Sequence, residues 1–266
     1  MEFKFSNRIS GVQGSAIREI FKYGNRPEVI SLAGGNPAPE LFPSKEFAEI
    51  LAEILAKKPT EALQYGVTEG YAPLREYVKK FIAERENTGR DFDETTIVSG
   101  GQQGIDLATK VLVNEGDAVI VEEPSFIGAL NAFRAYGAKL VGVPVKNDGM
   151  DIDVLEQKLN ETENVKIIYT IPTFQNPSGV TMSEEKRKKL YALAKKHGVV
   201  IIEDNPYGEL TFDGSKVPTI KSGDDEGVVL YSGSFSKILT PGIRVGYITG
   251  HRDLIAKMVI AKQVSD

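Results

Sequence analysis

The stretch Val199-Val-Ile-Ile-Glu203-Asp204-Asn-Pro-Tyr207 decides the fold. Its four leading residues are all apolar and β-branched, so a strand built on them has no face left for water and must be covered on both sides. Strands of that kind belong to parallel sheets sandwiched between helices, and such sheets bind ligands beyond the carboxyl ends of their strands. An aspartate at that end costs several kcal/mol to bury unpaired, so Asp204 is expected to have a cationic or hydrogen-bonding partner. Tyr207 is near enough in the chain to share the site.

Working outward, short β-branched runs alternate with amphipathic segments. The pattern predicts strands at 95–99, 118–122, 139–143, 165–171, 199–203, 228–232 and 245–249, with helices at 102–113, 126–136, 151–160 and 183–197. Together they specify an α/β fold, three layers in α/β/α order with a mostly parallel seven-stranded sheet. Upstream, Val12, Ala16, Ile17, Ile20 and Phe21 keep a helical period over 10–24, Ser44 is placed to cap a helix over 45–57, and Pro73 suits the first turn of one running to about Glu86. The glycine- and proline-rich run Ile30 to Pro43, with Gly34 and Gly35 adjacent, reads as a shaped loop. Residues 1–45 are therefore taken as an N-terminal helix and loop, and residues 46–266 as the large domain.

Composition narrows the function. A formal net charge of −5 leaves no electrostatic footprint for nucleic acid, and no apolar run reaches the roughly 18 residues of a membrane span. Cysteine is absent, which removes thiol nucleophiles and thiolate metal sites and fits a reducing compartment. With only His197 and His251, no metal site is expected, and His197 in Lys-Lys-His-Gly198 reads as a helix-end cap. A soluble cytoplasmic protein is the default expectation.

Several chemical candidates follow predicted strands. Ser99-Gly100-Gly101-Gln102-Gln103 leads into a helix, where small residues leave backbone N–H groups free for an anion. A dinucleotide fingerprint is the competing reading, but serine stands where its first glycine belongs, and no Lys-Ser or Lys-Thr pair follows to make a P-loop. Phe126 suits either core packing or stacking on a flat ring. Asn176, in Gln175-Asn-Pro-Ser-Gly179, is explained by a turn or by an amide donor to a phenolate. In Ser234-Phe-Ser-Lys237-Ile-Leu, followed by Arg244, the lysine is hemmed by apolar neighbours, which lowers an amine's pKa and makes it nucleophilic. An amine beside hydroxyls and a guanidinium is what a phosphorylated aldehyde requires.

Taken in order, Ser31-Leu-Ala-Gly-Gly35, Leu63-Gln-Tyr65, Ser99-Gly-Gly-Gln-Gln103, Glu122-Glu-Pro124, Gln175-Asn-Pro-Ser-Gly179, Glu203-Asp-Asn-Pro-Tyr207 and Ser234-Phe-Ser-Lys237 with Arg244 resemble a fold-type I pyridoxal-phosphate enzyme. The resemblance is to the class I aminotransferase family, closest to its 2-aminoadipate and kynurenine branch, and covers about Ala16 to the end. It implies pyridoxal 5'-phosphate held covalently by Lys237, which then serves as base, and Asp204 paired with the pyridine nitrogen. It also implies Asn176 and Tyr207 on the phenolic oxygen and Phe126 on the ring face. Gly101, Gln102, Ser234, Ser236 and Arg244 would bind the phosphate, joined by Tyr65 from a second subunit of a homodimer. Arg18, Gly35 and Asn176 would face the substrate, an amino acid or 2-oxo acid.

Two residues depart from the family pattern: Gly101 stands where serine or threonine is common, and Phe126 where the branch usually has tyrosine. The family normally continues into a C-terminal domain that grips the substrate's α-carboxylate. The chain ends at Asp266, so the expectation is a truncated form that binds cofactor and turns over weakly or not at all. Alternatives on the same fold are the effector domain of a transcription regulator and a lyase or decarboxylase.

Overall fold

The computed structural model describes residues 3–10, 26, 28–30 and 34–265. Within these, an eight-stranded sheet has the order β1-β8-β7-β6-β5-β2-β3-β4. Its strands are β1 Asp93–Val98, β2 Ala118–Glu123, β3 Lys139–Lys146, β4 Gly149–Met150, β5 Val165–Thr170, β6 Val200–Asp204, β7 Val229–Ser234 and β8 Gly246–His251. The pairs β2–β3, β2–β5, β5–β6 and β6–β7 are parallel, and β8 runs antiparallel to both β1 and β7. All seven expected strands are present. The eighth is the two-residue β4, which turns back on the end of β3, and it is too short to show any alternation.

The helices are α1 Asn7–Ser10, α2 Ser44–Lys57, α3 Pro59–Leu63, α4 Ala72–Glu86, α5 Gly101–Leu112, α6 Ile127–Ala135, α7 Ile152–Glu161, α8 Glu184–His197 and α9 Arg252–Gln263. Period-two alternation along the strands divides the core into two layers. Val119, Val121, Ile167, Tyr169, Ile202 and Leu230 pack with Leu107 of α5, Phe133 of α6 and Met258 of α9. Their neighbours Ile120, Ile168, Ile201 and Val229 point the other way, onto Leu155 of α7 and Leu190 of α8. This is why the Val199–Ile202 run is apolar without a break: successive side chains feed different layers.

Local chemistry sets the helix ends. Ser183 accepts from Lys186 N and Asp151 from Val154 N, capping α8 and α7. Gly198 closes α8 at φ 65°, a left-handed cap, with His197 as the last helical residue. Ser44 differs from expectation: it is the first residue of α2 and makes no capping bond, its Oγ turning back to Phe42 O. Most of the expected helix 10–24, including Arg18, lies outside the described residues. No described helix is long and apolar enough to cross a membrane.

Candidate active site

The parallel strands deliver their functional side chains to one edge of the sheet. Asp204 ends β6, Ser234 ends β7, Asn176 lies in the loop after β5, and Gly100 lies between β1 and α5. Lys237 and Arg244 lie in the connection from β7 to β8; because β8 runs back along β7, that connection leaves and re-enters the sheet at the same edge.

Asp204 is 6% exposed. Its Oδ2 accepts a 2.8 Å hydrogen bond from Tyr169 Oη, and among the described residues no lysine or arginine pairs with it. Burial pushes its carboxyl up to about 6, against the opposing pull of the Tyr169 hydroxyl. Gly101 lies close by: a β-carbon there would sit 3.7 Å from Asp204 Oδ1 and 3.4 Å from Ser232 Oγ. Both are ordinary contacts, so space alone does not impose glycine where the resembled family carries serine or threonine.

Gly100 is different. At φ 74° and ψ 166° it occupies a region that essentially only glycine enters, and a β-carbon would fall 2.9 Å from Arg244 Cζ. The guanidinium is thereby laid against the backbone that opens α5, and Nη2 donates to Ser99 O at 3.2 Å. The first N–H groups of a helix have no partner within it, so this corner combines a fixed cation with free donors. Ser234 and Ser236 are linked by a 2.9 Å hydroxyl–hydroxyl bond. The Gln102 side chain is engaged elsewhere, donating to Gly128 O at 2.9 Å, which leaves its backbone for any anion. Gly128 in turn is crowded by the Phe126 ring, where a β-carbon would lie 2.5 Å from Cζ. Phe126 therefore sits at the head of α6 beside Gln102.

On the other side, Asn176 Nδ2 donates to Tyr207 Oη at 3.3 Å, and Lys237 Nζ lies 6.0 Å from the Tyr207 ring centroid. Burial lowers the Lys237 amine below its ordinary value and raises the Tyr207 hydroxyl. The amine donates to Gly35 O at 2.9 Å, which brings the expected substrate-side loop to the lysine through its carbonyl. Tyr65 is fully exposed, and its backbone N–H bonds to Gln64 Oε1.

Three supporting groups have roles that the sequence does not disclose. Glu122, buried on β2, accepts from Thr170 Oγ1 (2.7 Å), Ile171 N (3.1 Å) and Gln175 Nε2 (3.2 Å), fixing the residue before Asn176. Arg187 of α8 donates to Pro172 O at 2.7 Å and Thr173 Oγ1 at 2.9 Å, pinning the start of the same loop. Tyr169 is the third, and it reads in sequence as one more residue of an apolar run.

Burial pushes the Glu122 carboxyl up to about 7, and the negative Asp204 adds to the effect. Because the folded value exceeds the ordinary 4.5, this group's stabilisation is complete below about pH 4.5 and is lost as pH rises through 7. Relative to Glu122→Gln, which cannot ionise, the parent chain should lose up to about 3 kcal/mol across that window. Paired urea titrations at pH 4.5 and 7.5 check this, and a constant difference between the two proteins contradicts it.

Known proteins share this sequence pattern and fold. The family described as aminotransferase class I and II matches residues 27–264. Aromatic-amino-acid aminotransferase 1 of Thermococcus litoralis is 47% identical over 98% of this chain and 64% of its own length. The crystal structure of Pyrococcus horikoshii kynurenine aminotransferase, in complex with PMP, superposes with a TM-score of 0.93 at 44% identity, covering 98% of this chain and 66% of that one. LysN, the α-aminoadipate aminotransferase of Thermus thermophilus solved with N-(5'-phosphopyridoxyl)-L-leucine, gives 0.88 at 41% identity, covering 98% and 65%. The chain thus spans just under two thirds of the length of these relatives. It belongs to the aminotransferase class I and II family.

Proposed function

We propose that the chain forms the cofactor-binding part of a pyridoxal-phosphate-dependent aminotransferase that moves an amino group between an amino acid and a 2-oxo acid. The observation that carries this reading is Asp204, a buried carboxylate at a strand's carboxyl end with no cationic side chain paired to it among the described residues. A protonated pyridine nitrogen supplies that missing charge. The donor set around it fits the rest of the group. Arg244, Ser234, Ser236 and the backbone of Gly101 and Gln102 suit a phosphate, and the Asn176–Tyr207 pair suits a phenolic oxygen. Phe126 suits a ring face.

When bound, pyridoxal phosphate supplies an electron sink for the charge left at the substrate's α-carbon. The chain's own contribution is Lys237, whose half-buried amine would hold the cofactor and, when free, would accept the substrate's α-proton. Asp204 would keep the ring nitrogen protonated, and Tyr207 and Asn176 would orient the ring. Residues 46–266 provide this machinery. Residues 1–45 bring Gly35, and in our reading Arg18, to the substrate side, with 2-aminoadipate, glutamate, aromatic and aliphatic amino acids as the candidate class. The setting we infer is a cytoplasmic homodimer. Exposed Tyr65 and the exposed apolar residues Ile50, Leu51, Ile54 and Leu55 of α2 suit contact with a second copy.

Borohydride reduction of the chain loaded with pyridoxal phosphate, followed by peptide mapping, tests the assignment. A single adduct on Lys237 is expected; an adduct on any other lysine overturns it.

A further inference from the structure

We propose that Tyr169 is a positioning residue for this reaction: its hydroxyl holds the Asp204 carboxylate ionised and aimed, and so governs whether the cofactor's ring nitrogen stays protonated. The inference rests on the reading of Asp204 as the partner of that nitrogen. Its geometry follows from the sheet. Tyr169 of β5 pairs in parallel register with Ile202 of β6, and Asp204, two residues further on, points to the same face. A tyrosine is long enough to reach from one strand to the carboxylate on the next, and Oη meets Oδ2 at 2.8 Å.

The ring has little freedom. It is completely buried, and the Phe133 ring packs edge-on against it at 5.6 Å and 68°. Burial and the adjacent carboxylate raise the hydroxyl well above its ordinary value, so it remains a proton donor throughout the working pH range. The other groups facing Asp204 do not replace it. Glu122 and Tyr207 bring negative or neutral oxygens, Gly101 brings no side chain, and the Ser232 hydroxyl favours the carboxylate less strongly than Tyr169 does. Without the Tyr169 hydroxyl, Oδ2 would lose its bond in a buried environment, only the Ser232 hydroxyl would remain to favour the charged form, and the carboxyl would take up a proton more readily. A neutral acid cannot compensate a pyridinium, so the ring nitrogen would lose its proton too.

The test uses two nuclei. In the unloaded chain labelled with carboxyl-13C aspartate, and with Asp204→Asn to assign the resonance, Tyr169→Phe should raise the Asp204 titration midpoint by about one pH unit, a tenfold change in its proton affinity. Site-specific 3-fluorotyrosine at 169, a stronger donor of nearly the same shape, should lower it. This second replacement carries the test if the phenylalanine variant does not fold. After loading with ring-15N pyridoxal phosphate, the nitrogen's deprotonation midpoint should fall in Tyr169→Phe. Phe133→Leu, which loosens the packing but keeps the hydroxyl, should lower Tm and leave both midpoints in place. An unmoved Asp204 midpoint in both Tyr169 replacements overturns the inference, as does a moved carboxyl with an unmoved ring nitrogen. A parent chain that takes up no cofactor overturns the proposed function as well, whatever the carboxyl does.

Discussion

Lys237→Ala is expected to leave a folded chain that takes up no borohydride-fixed label and releases pyridoxal phosphate on gel filtration. The residue lies in an irregular connection rather than within a strand or helix, and its side chain reaches out of that connection to donate to Gly35 O at 2.9 Å, so truncation spares the sheet. The covalent link between protein and cofactor would then be gone, leaving the Arg244, Ser234 and Ser236 contacts to hold the phosphate alone. Where turnover can be followed, removing the proton-transferring amine alone should cost about 10²–10⁴-fold in rate. Electrophoresis of the reduced protein under cofactor fluorescence, beside a circular dichroism spectrum, reads both parts of the expectation. A label as strong as in the parent chain would remove Lys237 from its assigned role.

The largest expected loss of stability comes from Lys221→Met, outside the site. The Lys221 ammonium is fully buried, 2.7 Å from Asp93 Oδ1 and 2.8 Å from Asp224 Oδ2. Asp93 begins the edge strand β1, whereas Asp224 accepts the backbone N–H groups of Gly227 (2.8 Å) and Val229 (3.2 Å) at the entry to β7. The backbone N–H groups of Ile220 and Lys221 donate to the buried Glu203, both at 2.8 Å. The cluster therefore ties the sheet's edge to its centre. Methionine fills most of the volume but strands two buried carboxylates, a change that typically costs about 3–5 kcal/mol. Denaturant unfolding measures it, and Asp93→Asn in the same chain should recover part of the loss. A penalty below about 1 kcal/mol would mean that the pair is dispensable.

These two lysines show what could be read from the chain and what could not. Lys237 sits among serines and apolar residues in a loop after a strand, a local pattern that announces chemistry. Lys221 sits in Thr219-Ile-Lys-Ser222, where nothing local marks it, because its partners lie 128 residues before it and three after it. The strands were legible because short β-branched runs recur between amphipathic segments, and β4 was not, since a Gly-Met pair has no period. The short α3, Pro59–Leu63, was also missed, for it is barely a turn past α2. Among site residues, those at strand ends were legible by position. Tyr169 was not, because a polar group inside an apolar run gains meaning only from the neighbouring strand that pairs with it; Glu122 stands in a recognisable motif, but its bonds to β5 and the Asn176 loop could not be read. Arg187 carries no local mark among the other charges of α8, yet its guanidinium turns inward to backbone carbonyls.

The direction of β8 has a further consequence. Had it run parallel to β7, the chain would have crossed the whole sheet before entering it, and Arg244 would stand at the opposite edge, about 20 Å from Lys237 for a six-residue strand. Reversing one strand places Lys237 and Arg244, the anchor and the phosphate's cation of our proposal, on a single eleven-residue excursion, 235–245, bounded at both ends by hydrogen-bonded sheet. That segment is a cassette. An insertion within it would lengthen the path between Lys237 and Arg244 and, on our proposal, uncouple the grip on the aldehyde end of the cofactor from the grip on its phosphate.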